Sequence, residues 1–415
     1  MNPFEEKAVP IEQTIESWNQ LYPKAYNKNT VDPYTKLRII LMNGTEFEAN
    51  WFLHQFHRHC NNNDLRREIA LSRRIEKQQQ MKIANLKPID ETILEHTIGY
   101  EQLAVDLTCE LAKKEKNETV KKALNFALLE DFDHLYRYAD LLEFETNTHA
   151  ERLVGGYTEI MPGRPTIAHH RHPYDSVRPF VNYKEADLLT KLQIGIITAA
   201  EQQTMNYYMN VSPLYLTDIG RKLYQEIGLV EEQHVTQYGA LKDPNCTWLE
   251  ELLMHEYTEC YLYYSCYQDE VDPDIKKIWE CHFHQEVAQL HKAAELLKQY
   301  EGREWQQVIP DATFPELLHL GPNKDYVRDV LARTVRLTAD REDYAEVDSL
   351  PDDATFFKYQ EKVNTPVEDV TSHRVIEQEI SKLGQDYRFE EAENPIEVLR
   401  NRKSDQTQLA RVKGI

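Results

Sequence analysis

Residues 130–134 read Glu130-Asp131-Phe132-Asp133-His134, and their spacing to an earlier acid organises the chain. Asp131 lies thirty positions after Glu101, and His134 follows three positions later. The separations recur at Glu201, Glu231 and His234, and again at Glu256 and Glu286, where Gln289 replaces the histidine. The midpoints of the three acid pairs are residues 116, 216 and 271. They fall in the polar run Lys113–Glu118, near Ser212-Pro213, and in the turn-rich stretch Asp269–Asp274. A helical hairpin bent at each midpoint sets both acids at one level, about fifteen residues or roughly 22 Å from the bend. The acid and histidine three apart share a helix face.

Helical periodicity supports this reading. Ile93, Leu94, Thr97, Ile98, Glu101, Ala104, Val105 and Thr108 fall on one face, as do Leu124, Ala127, Leu128, Asp131, His134, Leu135 and Tyr138. Glu201 and Glu231 lie in similar stripes. An ionised group without a partner is costly in such a setting, so these acids call for a counter-ion. Two hairpins packed face to face supply four carboxylates and two histidines, enough for two divalent ions with open positions. The first two hairpins are the expected pair. About forty residues join them, ample for a crossover, whereas about ten join the second to the third. Gln289 is also a poor ligand.

The predicted organisation is an N-terminal helical segment 1–89, a helical core 90–300 and an acidic extension 301–415. The core comprises hairpins 90–145, 185–240 and 248–300, with a Gly- and Pro-rich crossover 146–184 that carries His169, His170, Arg171 and His172. In the N-terminal segment a helix over 33–42 is expected to stop at Asn43-Gly44, followed by helices over 46–60 and 65–86. His54, His57 and His59 read as surface or core histidines. Residues 325–337 read as a further helix, 338–360 as turn-rich, 366–384 as a polar helix, and 385–415 as wrapping over the core or mobile.

The net charge of −22 argues against a nucleic-acid surface, and solubility explains it as well as cation gathering does. No apolar run reaches the roughly twenty residues of a membrane span. No signal peptide is evident, and the six cysteines form no zinc-like or disulfide spacing, so a cytoplasmic protein with reduced thiols is expected. Dinucleotide, P-loop and nucleophile-elbow motifs are absent, as is sustained strand alternation.

Through Glu101, Asp131-x-x-His134, Glu201 and Glu231-x-x-His234, residues 91–240 resemble the ferritin-like di-iron or di-manganese superfamily. The resemblance implies an all-α protein. Its ferritin-like four-helix bundle has a long crossover, with an added helical hairpin and helical or irregular extensions at both ends. It also implies a cofactor of two divalent metal ions, iron or manganese. Glu101, Asp131, Glu201 and Glu231 would be the carboxylate ligands, at least one bridging, with His134 and His234 terminal. Asp131 departs from the usual Glu and would draw its metal closer to the helix; Glu130 is an alternative ligand. Glu256 and Glu286 are candidate additional acids. Tyr138 and Tyr238 each follow a motif histidine by four residues, the placement of the radical tyrosine in the ribonucleotide reductase small subunit. The plainer reading of both is a core tyrosine bonded to a ligand carboxylate.

The implied activity is a soluble oxidoreductase acting on oxygen or peroxide and an unknown substrate, with ferroxidase and catalase-like roles inside the class. No nucleic-acid or membrane partner is expected, and a homo-oligomer is allowed. The competing reading is a non-catalytic helical scaffold or partner-binding protein with a lost metal site.

Overall fold

A computed structural model describes residues 1–161, 163–164, 166–366 and 369–384. The expectation for 385–415 lies outside these residues. The chain is mostly helical. In order it forms α1 (Pro33–His59), α2 (Asn63–Ala84), α3 (Ile93–Lys114), α4 (Glu118–Thr146), α5 (Thr166–His169) and α6 (Leu188–Val211). Then come α7 (Asp218–Gly239), α8 (Trp248–Asp269), α9 (Pro273–Glu301) and α10 (Lys324–Thr334). A two-stranded antiparallel hairpin follows, β1 (Leu337–Asp340) and β2 (Asp343–Glu346), and then α11 (Thr355–Val363) and α12 (Thr371–Leu383). No helix among the described residues is long and apolar enough to cross a membrane.

Short polar residues set the helix starts. Asp32, Asn62, Asn117 and Asp272 each accept hydrogen bonds from two backbone amides of the helix that follows, and Pro33 and Pro273 occupy first positions that need no donor. Thr92 and Glu95 form a capping box on α3, and Thr247 and Glu250 form another on α8. Thr92→Ala is expected to lower the unfolding free energy by about 1 kcal/mol. Urea denaturation followed by circular dichroism would read this, and an unmoved midpoint would contradict it.

The chain divides into two compact units. The first holds residues 1–91, 180–203 and 242–320; the second holds 92–179, 204–241 and 321–415. This partition cuts across the expected 1–89, 90–300 and 301–415. In the first unit α1 and α2 form one antiparallel hairpin and α8 and α9 another, with α1 packed on α8 and α2 on α9. The hairpin 248–300 is thus half of a four-helix arrangement whose other half is the N-terminal segment. Arg38 on α1 ties the two halves through Asp269 and Glu270, and Glu270 also accepts from Trp279 Nε1 at 3.0 Å.

The expected break at Asn43-Gly44 does not occur, and α1 runs straight through. Gly44 is there for close approach: a Cβ would stand 2.7 Å from the Gln203 amide nitrogen. Gln203 also bonds Asn43 and the Ile40 carbonyl. The glycine lets α6 pack against α1.

In the second unit α3 and α4 form a hairpin, α4 packs on α7, and α10 and α12 pack on α4. Almost every residue from Thr97 to Ala112 and from Phe126 to Leu142 is buried. The sequence shows one apolar stripe on each helix, yet α4 is also covered on its polar face. The crossover lays Arg164, His169 and Arg171 against Glu130, Asp133 and Arg137 there. In the stretch expected to be turn-rich, the β1–β2 hairpin turns through Arg341, whose φ of 53° is left-handed.

Candidate metal centre

In the second unit Glu101 projects from α3, Asp131 and His134 from α4, and Glu231 and His234 from α7, all at most 1 % exposed. They gather into two overlapping groups. Glu101, His134 and Glu231 each offer an atom within 4.8 Å of the others, and so do Asp131, Glu231 and His234. Glu231 belongs to both. Its Oε1 stands 2.9 Å from His134 Nδ1, and its Oε2 stands 3.3 Å from His234 Nδ1. Asp131 Oδ1 is also 3.3 Å from His234 Nδ1, and Glu101 Oε2 is 4.0 Å from His134 Nδ1.

Glu201 is buried on α6, two residues before the division at Gln203, and Tyr208 follows it two turns later on the same helix face. Tyr208 donates a hydrogen bond from its hydroxyl to Glu101 Oε1.

His134 is held neutral, first by burial and then by the neighbouring charge of Arg137. A neutral imidazole keeps the lone pair a metal needs. Neither of its ring nitrogens has a hydrogen-bond partner, although Glu231 lies close. Nearness without hydrogen-bond geometry is the relation of two ligands that face a common third atom.

Glu130, the alternative ligand, sits behind His234. It takes His234 Nε2 at 2.8 Å, accepts twice from Arg171 Nη1 at 3.0 Å, and lies 3.3 Å from Arg164 Nη1. Burial alone would raise its pKa, but Arg171, the His234 bond and Arg164 outweigh it and hold the group at about 2. An ionised Glu130 accepting from Nε2 turns the other ring nitrogen of His234, Nδ1, toward Asp131 and Glu231. Carboxylates orient metal-binding histidines in this way.

Tyr138 is fully buried, its ring 5.2 Å from Tyr208 and 4.9 Å from Tyr224. Burial, then Tyr224, Glu101 and Glu231, push its hydroxyl well above the usual range, so it stays protonated beside the ligand carboxylates. Tyr238 is equally buried. Tyr208, which sequence reading did not single out, is bonded to the Glu101 carboxylate.

Glu256 and Glu286 belong to a separate group in the first unit. Glu76, Glu256, Glu259 and Glu286 there each offer a carboxylate oxygen within 4.8 Å of one another. Sequence reading missed Glu76, and Glu46 beside it. The signal was present: Glu76 follows Glu46 by thirty positions and Gln79 follows three later, the pattern of Glu256, Glu286 and Gln289.

Comparisons of the chain with protein-family models, curated proteins and solved structures found no match.

Proposed function

We propose that the second unit is a dinuclear metal oxidoreductase of ferritin-like design, holding two iron or manganese ions and acting on oxygen or peroxide. The observation that carries this reading is the position of Glu231, shared by two groups that each add one histidine and at least one further carboxylate. Within the second unit Glu101 and His134 would hold one ion and Asp131 and His234 the other, with Glu231 common to both groups. The donor set of nitrogen and carboxylate oxygen fits the metals named, and the ferritin-like ligand count is four carboxylates and two histidines. Such ions supply one-electron and oxygen chemistry when bound.

The chain's own residues have definable work. Glu130 keeps the Nε2 proton of His234, so that ring presents Nδ1. Tyr208 donates to Glu101 and fixes which carboxylate oxygen is left for a ligand. The apolar burial of α3 and α4 keeps bulk water out. Tyr138 and Tyr208 hold protonated hydroxyls close to the carboxylates, Tyr208 bonded directly to Glu101.

The test is metal content after reconstitution. The His134→Ala/His234→Ala variant is expected to hold about two equivalents of iron or manganese fewer than the wild type, and to lose peroxide or oxygen consumption. Equal metal content in the two proteins would overturn the proposal and leave a non-catalytic helical scaffold.

A further inference from the structure

The first unit contains a second layer of buried acids that the proposed centre does not use. Glu46 on α1, Glu76 on α2, Glu256 and Glu259 on α8, and Glu286 on α9 are all at most 1 % exposed. One carboxylate comes from each of three helices and two from the fourth. Burial is the largest influence on each, and at Glu46, Glu76, Glu256 and Glu259 neighbouring carboxylates add to it. It holds Glu46, Glu76, Glu256 and Glu259 well above the usual range and Glu286 at about 7. His255 Nε2, 3.5 Å from Glu259 Oε2, is the imidazole at the edge of the group.

Acids alone would not make a site, but neutral donors point at the same place. Gln289 gives its amide hydrogens to both oxygens of Glu286 at 3.3 Å, and Gln79 gives one to Glu286 Oε1. Both amides are therefore anchored at the cluster, at most 1 % exposed, with Oε1 lacking any hydrogen-bond partner. Both oxygens of Glu76 and both of Glu259 lack a donor in good hydrogen-bond geometry, although Glu46 and Gln289 stand beside Glu76 and Glu286 beside Glu259. Buried oxygens without donors are costly, and a protein rarely gathers so many. A cation in their midst would satisfy them together.

A hydrogen-bond chain fixes the layer's far side. Tyr263 donates its hydroxyl proton to Glu46, so His282, whose Nδ1 lies 3.1 Å from that hydroxyl, must donate to it. His282 Nε2 is then a bare lone pair, and it too lacks a partner.

We propose that the first unit holds a second, independent cation centre built mainly of oxygen donors. Its ligands are Glu76, Glu256, Glu259 and Glu286, with the Gln79 and Gln289 amide oxygens and Glu46 at its margin, and its ligand is a hard divalent ion of the Mn²⁺ class. Carboxylate and carbonyl oxygens suit Mg²⁺, Ca²⁺ and Mn²⁺, whereas the histidine-bearing second unit offers a mixed nitrogen and oxygen set. Each hairpin here carries glutamine where α4 and α7 carry histidine. The two units would thus differ in the hardness of their donors.

The test uses Mn²⁺ and the full chain, stripped of metal and dialysed to equilibrium, with bound ion measured directly. The His134→Ala/His234→Ala protein is expected to retain Mn²⁺ and to be stabilised by it in thermal unfolding. Adding Glu76→Gln/Glu286→Gln is expected to weaken that binding on the order of 100-fold or more. Glu→Gln keeps shape and removes repulsion, and circular dichroism confirms the fold. If Glu76→Gln/Glu286→Gln alone binds as much Mn²⁺ as wild type, the second centre is overturned, whatever happens in the second unit. If the double-histidine protein is folded but binds no Mn²⁺ at millimolar concentration, the carboxyls share protons instead and the proposal also falls. Failure of the second-unit centre reads differently: wild type and double-histidine protein then bind equally, and both lose the ion with Glu76→Gln/Glu286→Gln.

Discussion

Arg171→Met is expected to cost the second unit about 3–5 kcal/mol, because it strands a buried carboxylate. Arg171 is 1 % exposed, and its guanidinium touches both oxygens of Glu130 and Ser176 Oγ at 3.2 Å. Methionine fills much of the volume but offers no charge, leaving Glu130 to Arg164 at 3.3 Å and His234. Arg164 cannot take up the lost bonds freely, since its Nη1 already donates to the Phe126 carbonyl at 2.9 Å. The cost is therefore an uncompensated charge more than a lost contact. Removing that charge as well should recover most of it, so Glu130→Met/Arg171→Met is expected to be more stable than Arg171→Met, a coupling a double-mutant cycle reads. The measurement is best made on metal-free protein. All five tryptophans, Trp18, Trp51, Trp248, Trp279 and Trp305, lie in the first unit. Circular dichroism should then show an early transition that tryptophan fluorescence does not. A variant within about 0.5 kcal/mol of wild type would show that Glu130 is not held by Arg171 in the way described.

The same residues show what the sequence can and cannot tell. Helical hairpins with acids in register are legible because a thirty-residue spacing, a turn at its midpoint and a histidine one turn on are local facts. Glu130 is one position from Asp131, and spacing cannot say which faces the centre. That depends on Arg164 and Arg171, brought from a crossover whose path no periodicity predicts. The hairpin α1–α2 was hidden for another reason. Asn43-Gly44 reads as a stop, but Gly44 serves packing against Gln203, so the helix carrying Glu46 appeared broken. A search keyed on histidine also passes over Glu76-x-x-Gln79. Linker length compared hairpins two and three as neighbours, whereas α8–α9 packs with α1–α2, a partner more than a hundred residues away.

The crossover's path rests on one glycine, which makes Gly163→Ala the second large effect. A Cβ there would stand 2.2 Å from the Leu129 carbonyl oxygen and 3.2 Å from the Asp133 amide nitrogen, both backbone atoms of α4. No side-chain rotation relieves such a contact, so the crossover must lift by the better part of an ångström. Gly163 also donates its own amide to Asp133 Oδ1 at 3.2 Å, a bond the lift would stretch. Arg164 follows it directly and stacks 4.0 Å over the Phe126 ring while reaching Glu130. Displacing this residue loosens the carboxylate that orients His234. The expected loss is about 3 kcal/mol, the upper end for overpacking, together with a roughly 10–100-fold weaker metal affinity in the second unit, as for lost orienting partners. Gly156→Ala is the control. It has a φ of 69° but nothing within 4 Å, so it bears only the left-handed strain, about 1–2 kcal/mol, with metal binding unchanged. Side-by-side thermal unfolding and metal titration separate the two effects. If Gly163→Ala binds metal as tightly as Gly156→Ala, the crossover's close approach does not support the centre.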